Sequence, residues 1–382
     1  MKKIALIGST GSIGRQVLNC VRRHADKFKI VSLSARSSAK LLYEQAWEFK
    51  PEVVALGDPS QAISIPSMPD GTVLYTGEKA MLHAITENAD VVFVSVVGFC
   101  GLDAVVEAVK MDKTVALANK EALVAGGEVV TSLLKEHPKA KIIPVDSEHS
   151  AIWQSLGLNT DRPFKKIILT ASGGAFRDKT PEELKYVKAE DALRHPNWLM
   201  GKKITVDCAT MLNKGLEVIE AKWLFNAPLD KINVVVHPES IIHSMVEYED
   251  SAVVCELAYP SMEIPIQLAL SYPDRLKTDV PSYDFLSRPL TFKDVDHEKY
   301  PCFDLVLKSA VEGYNYPCAL SSANEEAVKL FLEDKISYLD IKDYIEYALE
   351  KTGKCEVTLQ SLKETDVLAR SAVFNRYKGV KI

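Results

Sequence analysis

Two carboxylates stand close together in a segment of this chain where they could bind a metal ion. Asp146 and Glu148 directly follow the apolar run Ile142–Val145. On an extended backbone, residues two apart project from the same face, so both side chains would point to one side. Open α/β sheets place their sites at the carboxyl ends of strands, which favours a functional role. Taken alone, however, such a pair is more often two solvated carboxylates.

A second segment offers an amide, an ammonium group and a third carboxylate. Asn213, Lys214 and Glu217 follow one another at spacings of one and three residues. A helix would stack Asn213 and Glu217 on one face, with Lys214 one turn before Glu217. A Lys–Glu pair at this spacing is more often a surface ion pair of little energetic weight. The two segments indicate chemistry only if the rest of the chain supplies cofactor and substrate sites.

Length and composition limit the classes of protein to be considered. A chain of 382 residues predicts two or three domains, and 47% hydrophobic with 26% charged residues is typical of a soluble globular protein. The net charge of −6 argues against nucleic acid as a partner. Seven scattered cysteines without a C-x-x-C pair indicate reduced thiols in the cytoplasm. We expect no signal peptide and no membrane span, because the apolar runs are too short.

A glycine turn near the amino terminus predicts a dinucleotide site. The β-prone run Lys3–Ile7 leads into Gly8-Ser9-Thr10-Gly11-Ser12-Ile13-Gly14 and then into a helical pattern. Glycines let the backbone approach a pyrophosphate, which the helix amino terminus binds. The next strand, Phe28–Leu33, ends without the acidic residue that is typical of an NAD site, and Arg36 follows. A guanidinium suits a 2′-phosphate, so the pattern favours NADPH.

The order of predicted elements indicates three structural regions and a linker. Strands at Glu52–Leu56, Ala89–Val97, Lys113–Leu117 and Lys141–Val145 alternate with helical patterns such as Ala122–Glu136, which predicts a parallel, Rossmann-like sheet. Strands at Lys165–Thr170, Lys231–His237, Ile241–Tyr248 and Ala252–Leu257 predict a mixed sheet. The predicted division is an NADPH-binding domain (1–145), an α+β catalytic domain (146–271), a linker (272–300) and a helical bundle (301–382).

Two loops of the middle region are candidate substrate elements. The strand Lys165–Thr170 ends in a glycine-rich turn with a hydroxyl, Ser172-Gly173-Gly174, which suits an anion. The segment 194–201 places Trp198 beside a proline and a glycine, which indicates either a lid or a tryptophan packed on its own domain. Thr180-Pro181-Glu182-Glu183 predicts a capping box at the start of a helix, without a chemical role.

Seven motifs, in this order along the chain, resemble those of the 1-deoxy-D-xylulose 5-phosphate reductoisomerase family. They are GSTGSIG (8–14), ALANKE (116–121), VDSEHSAIWQ (145–154), SGGAF (172–176), HPNWLMGKK (195–203), DCATMLNKGLE (207–217) and HPESIIHSMV (237–246). The resemblance implies an enzyme of non-mevalonate isoprenoid biosynthesis, usually a homodimer. Such an enzyme uses NADPH and Mg²⁺ or Mn²⁺ to convert 1-deoxy-D-xylulose 5-phosphate to 2-C-methyl-D-erythritol 4-phosphate.

The resemblance also implies roles for individual residues. The NADPH positions are Thr10, Gly11, Ser12, Ile13, Ala35, Arg36, Ser37, Asn119, Glu121 and Gly201. The metal positions are Asp146, Glu148 and Glu217, which are also catalytic together with Lys120, His149, His195 and His243. The substrate positions are Lys120, Ser147, Glu148, Ser172, His195, Trp198, Cys208, Asn213, Lys214 and Glu217. Trp198 and Met200 match the lid, and Pro260 and Met262 lie near the nicotinamide in the family.

Two departures from the family pattern concern the substrate site. Cys208 stands where the family generally has a serine that bonds the phosphate, and a thiol is a weaker donor. We therefore expect looser phosphate binding, compensated by neighbouring N–H groups and Lys214. Ala175 replaces a proline, which affects the rigidity of the turn but removes no chemical group.

The residue types define the chemistry and the alternatives. Three carboxylates without a thiolate or clustered imidazoles favour Mg²⁺ or Mn²⁺ over zinc, acting as a Lewis acid on a chelated ketone. One alternative is a semialdehyde or polyol-phosphate dehydrogenase, which would not need the metal. Another is a non-catalytic NADPH-sensing protein with the same fold, although such a protein has no use for three clustered anions.

Overall fold

The computed structural model describes residues 1–64, 66–198 and 200–380 of the chain. The described chain forms two compact units, each assembled from separated segments. The first unit contains residues 1–122, 130–147 and 262–279. The second contains residues 123–129, 148–261 and everything from Val280 onward.

The elements are numbered in chain order. The strands are β1 (Lys2–Ile7), β2 (Phe28–Ala35), β3 (Val53–Leu56), β4 (Val73–Thr76), β5 (Val91–Val94), β6 (Thr114–Leu117), β7 (Lys141–Pro144), β8 (Lys166–Ala171), β9 (Ile232–Val236), β10 (Ile242–Glu247) and β11 (Val253–Leu257). The helices are α1 (Ser12–Arg23), α2 (Ala39–Phe49), α3 (Ala80–His83), α4 (Gly101–Lys110), α5 (Lys120–Glu136), α6 (Ser147–Ser155), α7 (Ala189–Ala192), α8 (Lys202–Ala209), α9 (Leu212–Leu224), α10 (Glu263–Ser271), α11 (Pro301–Glu312), α12 (Tyr316–Leu332), α13 (Asp340–Thr352) and α14 (Leu359–Lys378).

The first unit is built on a seven-stranded, fully parallel sheet in the order β4-β3-β2-β1-β5-β6-β7. Its central strands are apolar and buried, as a parallel sheet covered on both faces requires; Val91–Val94 has four buried residues in succession. The strand order reverses between β1 and β5, which is the topological switch point where such sheets bind ligands. The predicted Rossmann-like fold is confirmed.

The second unit contains a four-stranded mixed sheet in the order β11-β10-β8-β9. β8 and β9 are parallel, whereas β10 runs antiparallel to both β8 and β11. A large apolar core joins helices α8 and α9 to α11–α14, with buried members such as Leu216, Val306 and Phe331. The predicted mixed sheet and carboxyl-terminal helices are therefore confirmed.

Two local predictions differ from the structure. Thr180 and Glu183 make the reciprocal bonds of a capping box, but the turn that follows is a 3-10 helix, Glu183–Tyr186, rather than an α-helix. Helix α10 was not predicted, because its run of apolar residues has little amphipathic contrast and contains Pro265. The predicted linker 272–300 is described throughout and holds no helix or strand, only a single bridge from Lys293 to Val236.

Among the described residues, no helix has both the length and the apolar character needed to cross a membrane.

Candidate active site

The turn between β1 and α1 is a close-packed glycine turn that leads into an uncapped helix amino terminus. Gly8 has a positive φ of +91°, and a Cβ on Gly14 would lie 2.2 Å from the Gly8 carbonyl oxygen, so both positions require glycine. Helix α1 begins at Ser12 after Gly11, and no side chain caps its first N–H groups. The amino terminus of α1 thus lies at the switch point of the sheet, a position that suits a pyrophosphate. The predicted cofactor residues at this terminus are Thr10, Gly11, Ser12 and Ile13.

The adjacent strand end carries the predicted 2′-phosphate residues. Ala35 is the last residue of β2, and Arg36 and Ser37 follow it directly. Gly57, after β3, lies against Arg36: a Cβ there would be 3.3 Å from the Arg36 Cα. The hydroxyl of Ser34 accepts a hydrogen bond from the Gly8 N–H at 3.1 Å, which ties this strand end to the glycine turn.

Asn119 holds the loop after β5 in place with its side chain. Its Oδ1 accepts the Ala122 N–H at 3.0 Å and caps α5, and its Nδ2 donates to the carbonyls of Val96 and Gly98, both at 3.0 Å. The Nδ2 also donates to Glu121 Oε2 at 3.1 Å. Because these bonds occupy both donor hydrogens and the acceptor, the side chain of Asn119 fixes the shape of this loop.

Lys120 and Asp146 form an ion pair within the first unit. The ammonium of Lys120, at the start of α5, bonds the carboxylate of Asp146, which follows β7. Ser147 is the first residue of α6, and Glu148 lies in the first turn of that helix. The premise that Asp146 and Glu148 share an extended segment is therefore wrong: a helix begins between them.

Lys214 is the centre of a buried charge cluster in the second unit. Its Nζ donates to Glu148 Oε1 of α6 at 2.8 Å and to a carboxylate oxygen of Glu217, one turn along α9. Asn213 donates to the other Glu217 oxygen at 2.5 Å, so the predicted helical face is confirmed. Burial lowers the pKa of Lys214, but the two carboxylates outweigh this effect and raise the pKa overall. The lysine is therefore charged at neutral pH.

His149 links the helices that carry these two glutamates. Its Nε2 donates to the backbone carbonyl of Glu217 at 3.0 Å, and its ring stacks on Phe225 with centroids 6.3 Å apart. Its Nδ1 lies 3.6 Å from the Glu220 carboxylate, and both side chains are buried. Glu220 belongs to none of the predicted site residues, although its position three residues after Glu217 places both on one face of α9.

Ser172 and His195 form a hydrogen-bonded pair whose proton positions can be deduced. His195 Nδ1 accepts the backbone N–H groups of Asn197 at 3.2 Å and Trp198 at 2.9 Å, so in the neutral ring the proton is on Nε2. That Nε2–H donates to Ser172 Oγ at 3.0 Å, and Gly174 N–H donates to the same oxygen at 3.1 Å. Ser172 can therefore direct its own hydroxyl proton to a substrate oxygen.

The environment of His195 keeps the ring neutral. Burial, and secondarily the positive charge of Arg177, lower its pKa to about 4. Arg177 also donates to the carbonyls of Ser172 and Pro238, at 3.3 and 2.9 Å, and thereby fixes the turn after β8. Arg177 belongs to none of the predicted site residues, because no local motif predicts its contacts with these two carbonyls.

The loop that carries His195 and Trp198 is anchored by Asn197. The Asn197 amide donates to Pro238 O and Ser240 Oγ, both at 2.7 Å. The Trp198 ring lies 5.9 Å from the ring of His243, whose pKa is lowered, chiefly by burial. The predicted lid residue Met200 and the cofactor residue Gly201 also belong to the second unit, and Leu199 lies outside the described residues.

Cys208 lies in α8 against the glycine turn after β8. A Cβ on Gly174 would be 2.3 Å from the Cys208 carbonyl, so the two segments are in direct contact. Burial, followed by the charge of Glu217, raises the pKa of the Cys208 thiol, which stays protonated at neutral pH. Pro260 also belongs to the second unit, whereas Met262 opens the last segment of the first.

The donor set of the second unit suits a hard divalent cation. Carboxylate oxygens of Glu148 and Glu217 lie within 4.8 Å of each other, a separation that one ion can bridge. Both of these ligands are carboxylate oxygens, and neither is a cysteine sulfur or a histidine nitrogen. Oxygen ligands of this kind favour Mg²⁺ or Mn²⁺ over zinc.

Family comparisons cover most of the chain. Residues 4–127 match the model of 1-deoxy-D-xylulose 5-phosphate reductoisomerase, and residues 142–225 and 257–372 match two models of its carboxyl-terminal domains. A reductoisomerase of this name from Halalkalibacterium halodurans is 48% identical over 99% of this chain and all of its own. Its counterpart from Caldanaerobacter subterraneus subsp. tengcongensis is 47% identical with the same coverage.

Solved structures of the same kind match over nearly the full length. The Zymomonas mobilis 1-deoxy-D-xylulose 5-phosphate reductoisomerase in complex with NADPH has a TM-score of 0.91 at 35% identity, covering 99% of this chain and 100% of the other. A DOX-P reductoisomerase in complex with NADPH, fosmidomycin and magnesium has a TM-score of 0.90, also at 35% identity, covering 99% and 98%.

Proposed function

This chain belongs to the 1-deoxy-D-xylulose 5-phosphate reductoisomerase family, and we propose that the residues described above carry out the reaction of that family. The enzyme rearranges 1-deoxy-D-xylulose 5-phosphate and reduces the product to 2-C-methyl-D-erythritol 4-phosphate, with NADPH and a divalent metal ion. This step belongs to non-mevalonate isoprenoid biosynthesis.

The observation that carries the proposal is the buried cluster of Glu148, Asn213, Lys214 and Glu217. Two carboxylates from different helices converge on one ammonium group; Lys214 and Glu217 are buried, and Glu148 is partly exposed. The charge of Glu148 also acts on His195 and His243, which places the two histidines in the same electrostatic field. A non-catalytic sensor of NADPH would have no use for this costly arrangement.

We assign the metal to Glu148 and Glu217, with Asp146 as the third ligand by its place two residues before Glu148. When bound, the ion supplies a Lewis acid for the ketone and adjacent hydroxyl of the substrate. Lys214 balances the charge of the two glutamates, and His149 holds α6 against α9 so that both carboxylates face the same point. Lys120, paired with Asp146, stabilises charge or relays a proton.

We assign NADPH to the first unit. The amino terminus of α1 binds the pyrophosphate, and Arg36 with Ser37 binds the 2′-phosphate. Ala35 contributes through its backbone, while Asn119 and Glu121 shape the loop after β5. When bound, the cofactor supplies the hydride that reduces the rearranged aldehyde. Gly201 of the second unit is the remaining cofactor position.

The phosphate group of the substrate binds to Ser172, Asn213 and Lys214, with Cys208 as a weak fourth donor. The proton arrangement around His195 makes Ser172 a hydrogen-bond donor to a phosphate oxygen. This remote binding energy orients the reacting carbons. Trp198 covers the substrate as part of a lid that excludes water, and Ser147 and His243 complete the contacts.

The decisive experiment measures NADPH oxidation that depends on 1-deoxy-D-xylulose 5-phosphate and on added Mg²⁺ or Mn²⁺. We expect activity that EDTA abolishes and that Glu217→Gln lowers by about a hundredfold or more, because one ligand and one charge are lost. Glu350→Gln, on the exposed face of α13, is the matched control and keeps wild-type activity. Activity that survives EDTA would favour a metal-free dehydrogenase, and NADPH binding without turnover would favour a sensor.

The surface of the second unit supports a homodimer. β11 ends the mixed sheet and exposes Val253 and Val254. The segment between α10 and α11 exposes Phe285 and Leu286. An apolar edge strand pairs readily with the same strand of a second copy around a two-fold axis. Light scattering should give twice the chain mass, and Val254→Lys should shift it toward the monomer. A monomeric wild-type protein at assay concentrations would refute this assignment.

The state of the cysteines supports a location in the cytoplasm, which is a reducing compartment. The seven cysteines are thiols rather than members of disulfides, and three of them (Cys20, Cys302 and Cys318) are buried. Free thiols persist where the surroundings keep them reduced.

A further inference from the structure

Two buried tyrosines hold the two backbone segments that flank the proposed phosphate site. Tyr338, in the connection between α12 and α13, donates its hydroxyl proton to the carbonyl of Ala209 at 2.9 Å. Tyr300, directly before α11, donates to the carbonyl of Gly173 at 3.1 Å. Ala209 is the last residue of α8 and follows Cys208, and Gly173 follows Ser172. Each tyrosine thus fixes the backbone next to a proposed phosphate donor.

The Tyr338 ring also links the two segments. It packs edge-on against Phe176 with centroids 5.1 Å apart, and Phe176 lies two residues after Gly174. Gly174 in turn lies against the Cys208 carbonyl. The hydroxyl of Tyr338 therefore fixes the end of α8, while its ring supports the turn after β8. One side chain sets the separation of the two.

The carboxyl-terminal helices also contact helices α8 and α9. A Cβ on Gly215 would lie 2.6 Å from Val306 Cβ of α11, so α9 and α11 touch at the residue after Lys214. In addition, Asn324 of α12 donates to the buried carboxylate of Asp207 at 2.9 Å. The carboxyl-terminal helices, in which the sequence shows no motif, thus contact the phosphate-binding segments at several points.

We propose that Tyr300 and Tyr338 are positioning residues that fix the distance between the Ser172 turn and the α8–α9 segment, and thereby set the affinity for the substrate phosphate. The inference rests on the proposed function, because it assigns the phosphate to these segments. The tyrosines do not touch the substrate. They act through the backbone of Gly173 and Ala209, so their removal loosens the phosphate site but leaves every phosphate donor in place.

The test replaces each tyrosine by phenylalanine, which removes one oxygen atom and preserves the ring. We expect KM for 1-deoxy-D-xylulose 5-phosphate to rise about threefold in each single variant and about tenfold in the double variant, because one hydrogen bond is lost at each position. KM for NADPH should stay at the wild-type value. This split between the two substrates would not result from a general loss of stability.

Tyr248→Phe is the matched control. Tyr248 donates to the backbone carbonyl of Ser155 at 2.8 Å, at the carboxyl end of α6, so the substitution removes the same kind of bond in the same unit. Its KM for the sugar phosphate should equal that of the wild type. Melting temperatures of all variants check that the fold is retained.

Inorganic phosphate separates failure of this inference from failure of the proposed function. Its dissociation constant, measured by calorimetry with the complete chain, should rise in Tyr338→Phe by the same factor as KM and stay unchanged in Tyr248→Phe. A wild-type protein without turnover would refute the proposed function, and the phosphate affinities would still test the tyrosines. The inference would be overturned if the dissociation constant for phosphate were the same in the wild type, Tyr300→Phe and Tyr338→Phe. It would also be overturned if that constant rose equally in Tyr248→Phe.

Discussion

Two regions of the second unit carry the side chains that we propose bind the substrate, and the two regions are held in place in different ways. The loop 194–198, which carries His195 and Trp198, is only partly buried and is anchored by the side-chain amide of Asn197. The α8–α9 segment, which carries Cys208, Asn213 and Lys214, is packed into the large apolar core with α11 and α12. The loop relies on a few polar bonds and the helical segment on extensive packing.

The two ways of holding a segment suit two different roles in substrate binding. A segment within a packed core opens only at a large free-energy cost, so it suits a group that must be in place before the substrate arrives. A loop held by a few hydrogen bonds can open and close at a small cost, as a lid requires. We therefore expect substitutions in the helical segment to affect stability and affinity together, and substitutions in the loop to affect turnover more.

The largest effect should come from adding one methyl group to the packed segment. Gly215→Ala places a Cβ 2.6 Å from Val306, which forces α9 away from α11, and we expect a loss of about 1–3 kcal/mol in the free energy of unfolding. Gly201→Ala, where a Cβ meets no described atom within 4 Å, is the matched change beside the loop and should cost far less. Urea denaturation of both variants measures the difference. Equal losses would contradict the distinction between the regions.

An intermediate effect should follow from releasing the loop. Asn197→Asp removes both amide donors and places a carboxylate against the Pro238 carbonyl, so His195 and Trp198 lose their anchor. We expect kcat/KM for 1-deoxy-D-xylulose 5-phosphate to fall about tenfold, with little change in melting temperature. Asn233→Asp, exposed on β9, adds the same charge elsewhere and should be silent. A melting temperature that falls as much as in Gly215→Ala would mean that the loop is also part of the core.

A smaller effect is expected where the packed segment carries its departure from the family. Cys208→Ser replaces a weak donor by a strong one, so KM for the sugar phosphate should fall about twofold to threefold. Cys318→Ser, in the buried core of α12, leaves the site untouched and should not change KM. No improvement in Cys208→Ser would show that the thiol does not limit phosphate affinity.

The smallest effect concerns the protonation of the loop histidine. Because burial lowers the pKa of His195 from 6.5 to about 4, the folded protein binds fewer protons than the unfolded chain between these values. The free energy of unfolding should therefore decrease as pH falls from 6.5 to 4, and His195→Gln should reduce that decrease. NMR titration of the ring should show it neutral at pH 6. A titration midpoint near pH 6.5 would contradict a buried ring whose Nδ1 accepts two hydrogen bonds.

Several features follow from the sequence because local patterns determine them. The glycine turn before α1, the alternation of strands and helices, and the spacing of Asn213, Lys214 and Glu217 are read within a few residues, and the structure confirms the elements they predict. Predictions from local patterns were wrong where contacts with the rest of the chain determine the secondary structure. Glu148 was assigned to an extended segment although α6 begins at Ser147, and α10 was missed because its apolar run has no distinct periodicity.

The sequence by itself determined the family, the residue types of the site and their order, because these are properties of short motifs. Only the tertiary structure showed that Lys214 donates to Glu148 and that His195 donates to Ser172. It also showed that the hydroxyls of Tyr300 and Tyr338 donate to the backbone carbonyls of Gly173 and Ala209. The physical reason is that these contacts join residues 23 to 129 positions apart. No local pattern encodes such pairs; the packing of whole elements brings them within hydrogen-bond distance.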